Sequence, residues 1–256
     1  MKVVILCGGR GTRMREETEF RPKPLVQVGE RPILWHIMKI YSHYGFKDFV
    51  LCVGYKGDMI KRYFMEMCWQ NNDITVNTFS CQNVVYHTKN NEDWNVTLAD
   101  TGPESQTGRR VKLIEPYIDG DTFMLTYGDG LSDVDIPELL KTHEAQGRVA
   151  TITGVNPTSP FGIVKMEDGV VTGFREKPVL DDIINGGFMA LNRKIFDYIP
   201  DINCPFEQEP LHRLAEEGQI AVHWHKGFWA AMDTGKDIEK MNELWKTGEA
   251  PWKIWK

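Results

Sequence analysis

The sequence predicts an α/β fold: a Rossmann-like, mixed but mainly parallel sheet flanked by helices, with a smaller mixed or antiparallel extension. Three observations predict it. Residues 3–67 alternate as strand, loop, helix, strand, helix. Two apolar runs, at 3–7 and 123–127, end directly in glycines, as strands do when they feed loops at a sheet edge. From Val149 onward short strand-like segments replace that alternation.

The first run, Val3-Val4-Ile5-Leu6-Cys7, reads as a buried strand and passes at once into Gly8-Gly9-Arg10-Gly11-Thr12-Arg13. Glycines let a backbone approach a ligand closely, and successive N–H groups in such a turn can form an anion-binding nest. Arg13 and Lys23, the latter within Arg21-Pro22-Lys23-Pro24, add fixed positive charge. We read the segment as a nucleotide-phosphate loop, against the alternative of a plain tight turn. It is not a Walker A loop, since no Lys follows Gly11 directly. It is not the dinucleotide fingerprint either, because Met14 stands where the third glycine belongs, which counts against a nicotinamide oxidoreductase.

Residues 32–44 read as the first helix, with Pro32 at its start, Ile33, Leu34, Ile37, Ile40 and Tyr41 at helical spacing, and Gly45 as its stop. A buried strand at 48–53 and a helix at 56–67 follow. Residues 73–79 alternate as a strand would, 84–87 form a further exposed strand, and 95–101 run as a strand into Gly102-Pro103. Thr107-Gly108-Arg109-Arg110 opens a helix over 109–117 and is a second candidate nucleotide contact. The alternative there is a solvated loop with surface arginines. The apolar strand at 123–127 ends in Gly128-Asp129-Gly130, where an aspartate at the carboxyl edge can reach a phosphate or a metal. A helix at 136–146 follows, so the turn is read as strand-to-helix rather than hairpin.

In the second half, 151–155, 162–166 and 170–175 are short strands, with Glu167-Asp168-Gly169 as a hairpin turn. Glu176-Lys177-Pro178 closes that block, and Asn185-Gly186-Gly187 opens a strand reaching Leu191. This region is read as carrying the second substrate, although Glu176 and Lys177 alone would read as an exposed ion pair. A helix at 206–217 precedes a strand at 220–224. There the alternation sets His223 and His225 opposite Val222 and Trp224, as a polar sheet face in preference to a metal pair. Asp233-Thr234 stands at the N-terminus of the last helix, 236–245, where either residue could cap it. Trp252 and Trp255 lie between charges in the tail and point to packing on a neighbouring element or subunit.

A chain of 256 residues suits one large α/β domain or two small ones, and we read a single domain whose half 1–148 carries the nucleotide-phosphate loop and whose half 149–256 carries the second substrate with the C-terminal helix and tail. The formal net charge of −6 argues against general binding to nucleic acid or an anionic membrane. Cys7, Cys52, Cys68, Cys81 and Cys204 are odd in number and widely spaced, a pattern of reduced thiols rather than a disulfide framework. The opening apolar run is too short for a signal peptide, and no run is long enough to cross a membrane. A cytoplasmic protein is expected.

Taken jointly, the segments 6–13 and 21–24, Tyr127-Gly128-Asp129-Gly130, Glu176-Lys177-Pro178, Asn185-Gly186-Gly187 and Met232-Asp233-Thr234 resemble the signature of the sugar-phosphate nucleotidylyltransferases, in the order that family uses. Residues 32–39, 94–102, Glu207-Gln208-Glu209-Pro210-Leu211 and the ending Ala250-Pro251-Trp252-Lys253 resemble its cytidylyltransferase branch. The resemblance implies the nucleotide-diphospho-sugar transferase fold, and transfer of CMP from CTP to a sugar 1-phosphate, first among them α-D-glucose 1-phosphate, with Mg²⁺. It implies a nucleotide site of Leu6, Gly8, Gly9, Arg10, Gly11, Thr12, Arg13, Lys23, Thr107, Gly108, Arg109, Arg110 and Gly128. Arg13, Lys23 and Asp129 would be catalytic, and Asp129 and Asp233 would hold the metal. Glu176, Lys177, Asn185 and Gly186 would contact the sugar phosphate. A homo-oligomer is implied as well. The chain departs from the family pattern at Arg109, where a second glycine is expected, and near Ala230, where a Gln is expected. Another phosphorylated acceptor, or a nucleotide-binding regulatory subunit without turnover, is the alternative reading.

Overall fold

The computed structural model describes residues 1–78 and 84–256. Strand β1 (Lys2–Leu6) leads through a one-turn helix α1 (Arg15–Thr18) and a small ribbon, β2 (Gln27–Val28) and β3 (Arg31–Pro32), into helix α2 (Ile33–His43). Strand β4 (Asp48–Val53) and helix α3 (Gly57–Gln70) come next, then an exposed antiparallel pair, β5 (Ile74–Val76) and β6 (Val84–Tyr86), and strand β7 (Asn95–Asp100). Helix α4 (Thr107–Leu113), β8 (Thr122–Tyr127), β9 (Gly130–Ser132) and α5 (Ile136–Gln146) complete the first half. The second half holds β10 (Ala150–Val155), β11 (Ile163–Glu167), β12 (Val170–Arg175), β13 (Ile184–Asn185), β14 (Met189–Asn192), α6 (Glu209–Glu216), β15 (Ile220–Trp224), β16 (Trp229–Ala231) and α7 (Gly235–Thr247).

One sheet takes strands from both halves, in the order β13-β10-β14-β8-β1-β4-β7, with β15 also paired to β10. The pairs among β8, β1, β4 and β7 are parallel, while β14 runs antiparallel to both β8 and β10. The predicted mixed but mainly parallel sheet is the observed one. Val3 and Ile5 point to one face of β1, and Val4 and Leu6 to the other. Both faces are buried, which explains why the strand reads as an unbroken apolar run.

Several expected elements shift. The helix expected over 109–117 begins at Thr107 and ends at Leu113, and Glu115–Tyr117 is a separate tight turn, since Pro116 cannot donate to a continuing helix. The strand expected over 73–79 is formed at Ile74–Val76; Phe79 and Cys81 lie outside the described residues. The hairpin turn after Glu167 is observed, with Asp168 at φ 46° and Gly169 at φ 80°, the two positive values that a twist-matched two-residue loop needs. Cys7, Cys52, Cys68 and Cys204 are free thiols. No helix is long and apolar enough to cross a membrane among the described residues.

Two expectations are sharpened. On β15 the faces divide as the alternation has it, but the apolar pair is the outer one: Val222 and Trp224 are exposed, while His223 turns inward to the Thr142 hydroxyl at 3.2 Å. His225, just past the strand, pairs with Asp133 at 2.9 Å. The helix α5 packs on β15 and supplies the polar partner that a bare alternation rule ignores. Among the described residues no cluster of three metal-ligating groups forms. The tail tryptophans, for their part, pack on their own chain. Trp252 is fully buried and donates its Nε1–H to Nδ1 of His36 at 3.4 Å, and Trp255 meets Trp35 edge to face.

His36 is thus a buried latch between helix α2 and the tail. Its Nε2 donates to the Val28 carbonyl at 2.8 Å while Nδ1 accepts from Trp252, so the ring fits as one neutral tautomer. Burial, opposed only in part by its backbone bonds, pulls its pKa from 6.5 down to about 4. Between those values the unfolded chain binds a proton that the folded chain refuses, so stability falls as pH drops through that window. Replacing His36 with Gln is expected to remove roughly 2 kcal/mol of the stability lost between pH 7 and pH 5. Urea unfolding of both proteins at the two pH values measures this; an unchanged pH dependence would contradict the latch.

Candidate active site

The carboxyl ends of β1 and β8 lie side by side, with Leu6 in register with Tyr127. Each strand runs straight into a glycine-bearing loop, and the Gly128 N–H donates to the Leu6 carbonyl at 3.1 Å. A Cβ on Gly128 would sit 2.8 Å from that oxygen, so only glycine lets the two loops leave the sheet together. A cleft of about 470 Å³ opens there. Its walls include the loop residues Gly8, Gly9, Gly11, Thr12 and Arg13, then Lys23, Thr107, Arg110, Tyr127, Asp129 and Glu207. This is the carboxyl edge where open α/β sheets bind ligands.

Asp129 and Asp233 are distant in sequence, and a short ladder brings them together. The expected strand-to-helix passage from β8 to α5 is interrupted by β9, which pairs antiparallel with β16, Gly130 opposite Ala231. The Met232 N–H then donates to the Asp129 carbonyl at 2.8 Å, which sets the two aspartates at neighbouring ends of one ribbon. Lys23 reaches both: its Nζ lies 2.6 Å from Oδ2 of Asp129 and 2.8 Å from Oδ1 of Asp233. Arg13 donates to the other oxygen of Asp233 at 2.7 Å. Two carboxylates a few ångström apart repel by about 4 kcal/mol at an effective dielectric of 20, so this geometry needs a cation between them. Lys23 is that cation, and its side chain is only 12% exposed. Thr234 caps α7 in a reciprocal capping box with Asp237, which leaves the Asp233 carboxylate free for Lys23 and Arg13.

The carboxylates of Asp129 and Asp233 converge on one point with hard oxygen donors, and among the described residues no third acidic, histidine or cysteine ligand joins them. Mg²⁺ is commonly held by one or two carboxylates, with substrate phosphates and water completing its shell. The residues present fit such an ion.

Behind the loop stands Arg110. It is 3% exposed, and its guanidinium donates to the Gly8 carbonyl at 2.8 Å, the Gly102 carbonyl at 2.8 Å and the Thr101 hydroxyl at 2.6 Å. The rigid fork of a guanidinium ties two strand-end loops together, which an ammonium could not do with the same fixed geometry. A Cβ on Gly8 would lie 2.1 Å from Nη1 of Arg110. Gly9, by contrast, has no chain atom near its absent Cβ. The Cys7 thiol also lines the cleft, but burial first, then Cys52 and Asp129, hold its pKa well above the usual range, so it is no nucleophile.

Other candidates are placed differently. Arg10 is exposed and pairs with Glu104, joining the first loop to the 101–106 loop. Arg109 pairs with Asp201 and does not line the cleft. The Gly108 N–H is taken by the Cys204 carbonyl at 3.0 Å. Glu176 and Lys177 are exposed at the end of β12, their charges 4.0 Å apart, and neither lines the cleft. Asn185 reaches the Tyr127 hydroxyl at 3.5 Å, and the buried Gly186 accepts the Trp229 indole N–H at 2.7 Å. Sequence reasoning misses Glu207 as a site residue. An acid two residues ahead of α6 reads as ordinary helix-start charge, yet its carboxylate faces the cleft between Thr107 and Tyr127.

The close approach of Gly8 and Arg110 makes a testable pair. Gly8→Ala is expected to destabilise by about 2 kcal/mol through overpacking. That penalty should vanish when Arg110 is also changed to Ala, so the cycle is non-additive. Denaturant unfolding of the two single variants and the double variant measures it, and additive losses would show that the contact is not made.

Comparison with known proteins agrees with this architecture. The family model described as nucleotidyl transferase matches residues 2–247. The glucose-1-phosphate cytidylyltransferase of Salmonella typhi is 47% identical over 257 residues, covering all of both chains. A probable glucose-1-phosphate cytidylyltransferase of Bacillus subtilis (strain 168) is 46% identical over 256 residues, again covering all of both. Among solved structures, HddC from Yersinia pseudotuberculosis superposes with a TM-score of 0.71 at 23% identity, over 95% of this chain and 99% of its own, a likeness of fold. A match over nearly the whole length, joined to full-length relatives at such identity, decides the family: the chain belongs to the nucleotidyl transferases.

Proposed function

We propose that this protein is a glucose-1-phosphate cytidylyltransferase, which transfers CMP from CTP to α-D-glucose 1-phosphate and releases pyrophosphate. The observation that carries the reading is the meeting of Lys23, Asp129 and Asp233 beside the glycine-rich loop. The full-length relatives bearing that name supply the choice of substrates. Family members use a divalent metal; we assign it as Mg²⁺, held by Asp129 and Asp233. Such an ion, when bound, neutralises phosphate charge and orients the triphosphate.

Each residue then has a task. Gly8, Gly9, Gly11 and Thr12 cradle the triphosphate, with Leu6 and Gly128 beneath the nucleoside and the 107–110 turn beside the base. Arg13 binds the departing pyrophosphate. Lys23 stands 2.6 Å from Asp129 and so is anchored at the reacting centre, where it offsets charge growing on the α-phosphate. The phosphate oxygen of the sugar attacks the α-phosphorus: one P–O bond forms as the bond to pyrophosphate breaks in line. The acceptor is already an anion, so no general base is required. Positioning and charge neutralisation carry such a transfer. Asn185, Gly186, Glu176 and Lys177 are assigned to the sugar phosphate, with residues 149–256 as its half of the chain and 1–148 as the nucleotide half. Glu176 and Lys177, exposed at the end of β12, reach it only if the β11–β12 hairpin closes over the cleft.

The free thiols and the triphosphate substrate support a cytoplasmic setting. A homo-oligomer is supported by β11 and β12, which expose Val164, Met166, Val171 and Phe174; the tail tryptophans, packed on their own chain, no longer argue for it.

With Mg²⁺ and glucose 1-phosphate, CTP is expected to give the fastest pyrophosphate release of the four nucleoside triphosphates. Asp129→Asn is expected to lower turnover at least ~100-fold without loss of the folded circular-dichroism spectrum. A coupled phosphate assay reads both, and silence with CTP, or normal turnover in the variant, would contradict the assignment.

A further inference from the structure

We infer that Glu207 is a positioning residue that couples the two substrate half-sites through a hydrogen-bonded relay, Thr107–Glu207–Tyr127–Asn185. The inference deepens the proposed function and rests on its placing of nucleotide at the Thr107 turn and sugar phosphate at Asn185.

Thr107, Glu207 and Tyr127 line the cleft, and the relay runs on from them to Asn185 on β13. Thr107 opens α4, and its hydroxyl donates to Oε2 of Glu207 at 2.6 Å while accepting the Phe206 N–H at 2.8 Å. Tyr127 ends β8, and its hydroxyl donates to Oε1 of Glu207, also at 2.6 Å. Asn185 donates from Nδ2 to the Tyr127 oxygen at 3.5 Å, and its Oδ1 accepts the Gly187 N–H at 3.0 Å. Every hydrogen along both arms points toward the Glu207 carboxylate. A tyrosine hydroxyl has one hydrogen and Glu207 takes it, so Tyr127 can only accept from Asn185. Burial first, then the charge of Glu207, keep the phenol protonated by raising its pKa above the ordinary range. The direction of each bond is therefore set, and no member can turn without breaking a bond to the next.

The carboxylate has about four lone-pair sites, and the relay fills two of them. Glu207 itself lines the cleft together with Thr107 and Tyr127. A nucleotide that settles against the Thr107 turn shifts or stiffens the donor to Oε2. The carboxylate is one rigid plane, so the change reaches Oε1, Tyr127 and then Asn185 on the acceptor side. Coupling of this kind is a free energy shared by both ligands, so each must strengthen the other by the same factor.

Calorimetric titration of the intact protein with glucose 1-phosphate, with and without α,β-methylene-CTP and in the presence of Mg²⁺, measures that factor. In the unmodified protein the analogue is expected to tighten sugar-phosphate binding about tenfold. Tyr127→Phe keeps the ring and deletes the link from carboxylate to amide; Glu207→Gln deletes the charge on which both arms converge. In both variants the ratio should fall to within about twofold of unity, whatever the change in affinity for either ligand alone. A merely structural role would lower both affinities together and leave their ratio intact. Coupling that persists in both variants, or is absent from the unmodified protein, overturns the inference while leaving the proposed function standing. No binding of the analogue to the unmodified protein would overturn that function, and the relay with it.

Discussion

The ion-pair bridge of Lys23 with Asp129 and Asp233 is the constraint on which the rest of the site depends. Two half-buried carboxylates aimed at one point are unstable unless a cation lies between them. One ammonium within 2.8 Å of both supplies it, and Arg13 takes the remaining oxygen of Asp233. The arrangement also assembles the parts that nucleotidyl transfer needs: cationic side chains, and hard oxygen donors for a divalent ion, beside a loop whose backbone leaves room for phosphate.

The bridge forms because of the frame around it. Parallel pairing of β1 with β8 sets the first loop beside the Gly128 turn. The β9–β16 ladder then carries Asp233 across from the far end of the chain. Arg110 fixes the first loop from behind by binding the carbonyls of Gly8 and Gly102. The tail also closes on α2 through Trp252 and His36, which keeps the strand-flanking helix in place. Burial, ladder register and buried polar bonds thus serve one small volume at the sheet edge.

Much of this was legible in the sequence. Apolar runs ending in glycine marked β1 and β8, and local charge marked Arg13 and Lys23, because these signals lie within a few residues of one another. The encounter of Asp129 with Asp233 was not legible from spacing, since a three-residue ladder between distant segments leaves no periodic trace; only resemblance joined them. Arg110 read as a ligand contact, yet its guanidinium is spent on backbone carbonyls, because burial of a residue at a helix start depends on which loops fold over it. The β15 histidines and the tail tryptophans were legible only in part for the same reason: a sequence pattern gives two faces but not which one another helix will cover. Glu207 stood in a segment that carried the resemblance, but its place in the site was not legible, being defined by two hydroxyls about eighty and one hundred residues away.

The central claim is that Asp129 and Asp233 act as one cation-binding pair once a nucleotide has entered beside Lys23. Mn²⁺ binding followed by electron paramagnetic resonance, with CTP present and Asp233→Asn compared with the unmodified protein, tests it most directly. The unmodified protein should hold a Mn²⁺ ion in the presence of CTP and the variant should lose it. Equal Mn²⁺ binding in the two proteins would contradict the pairing.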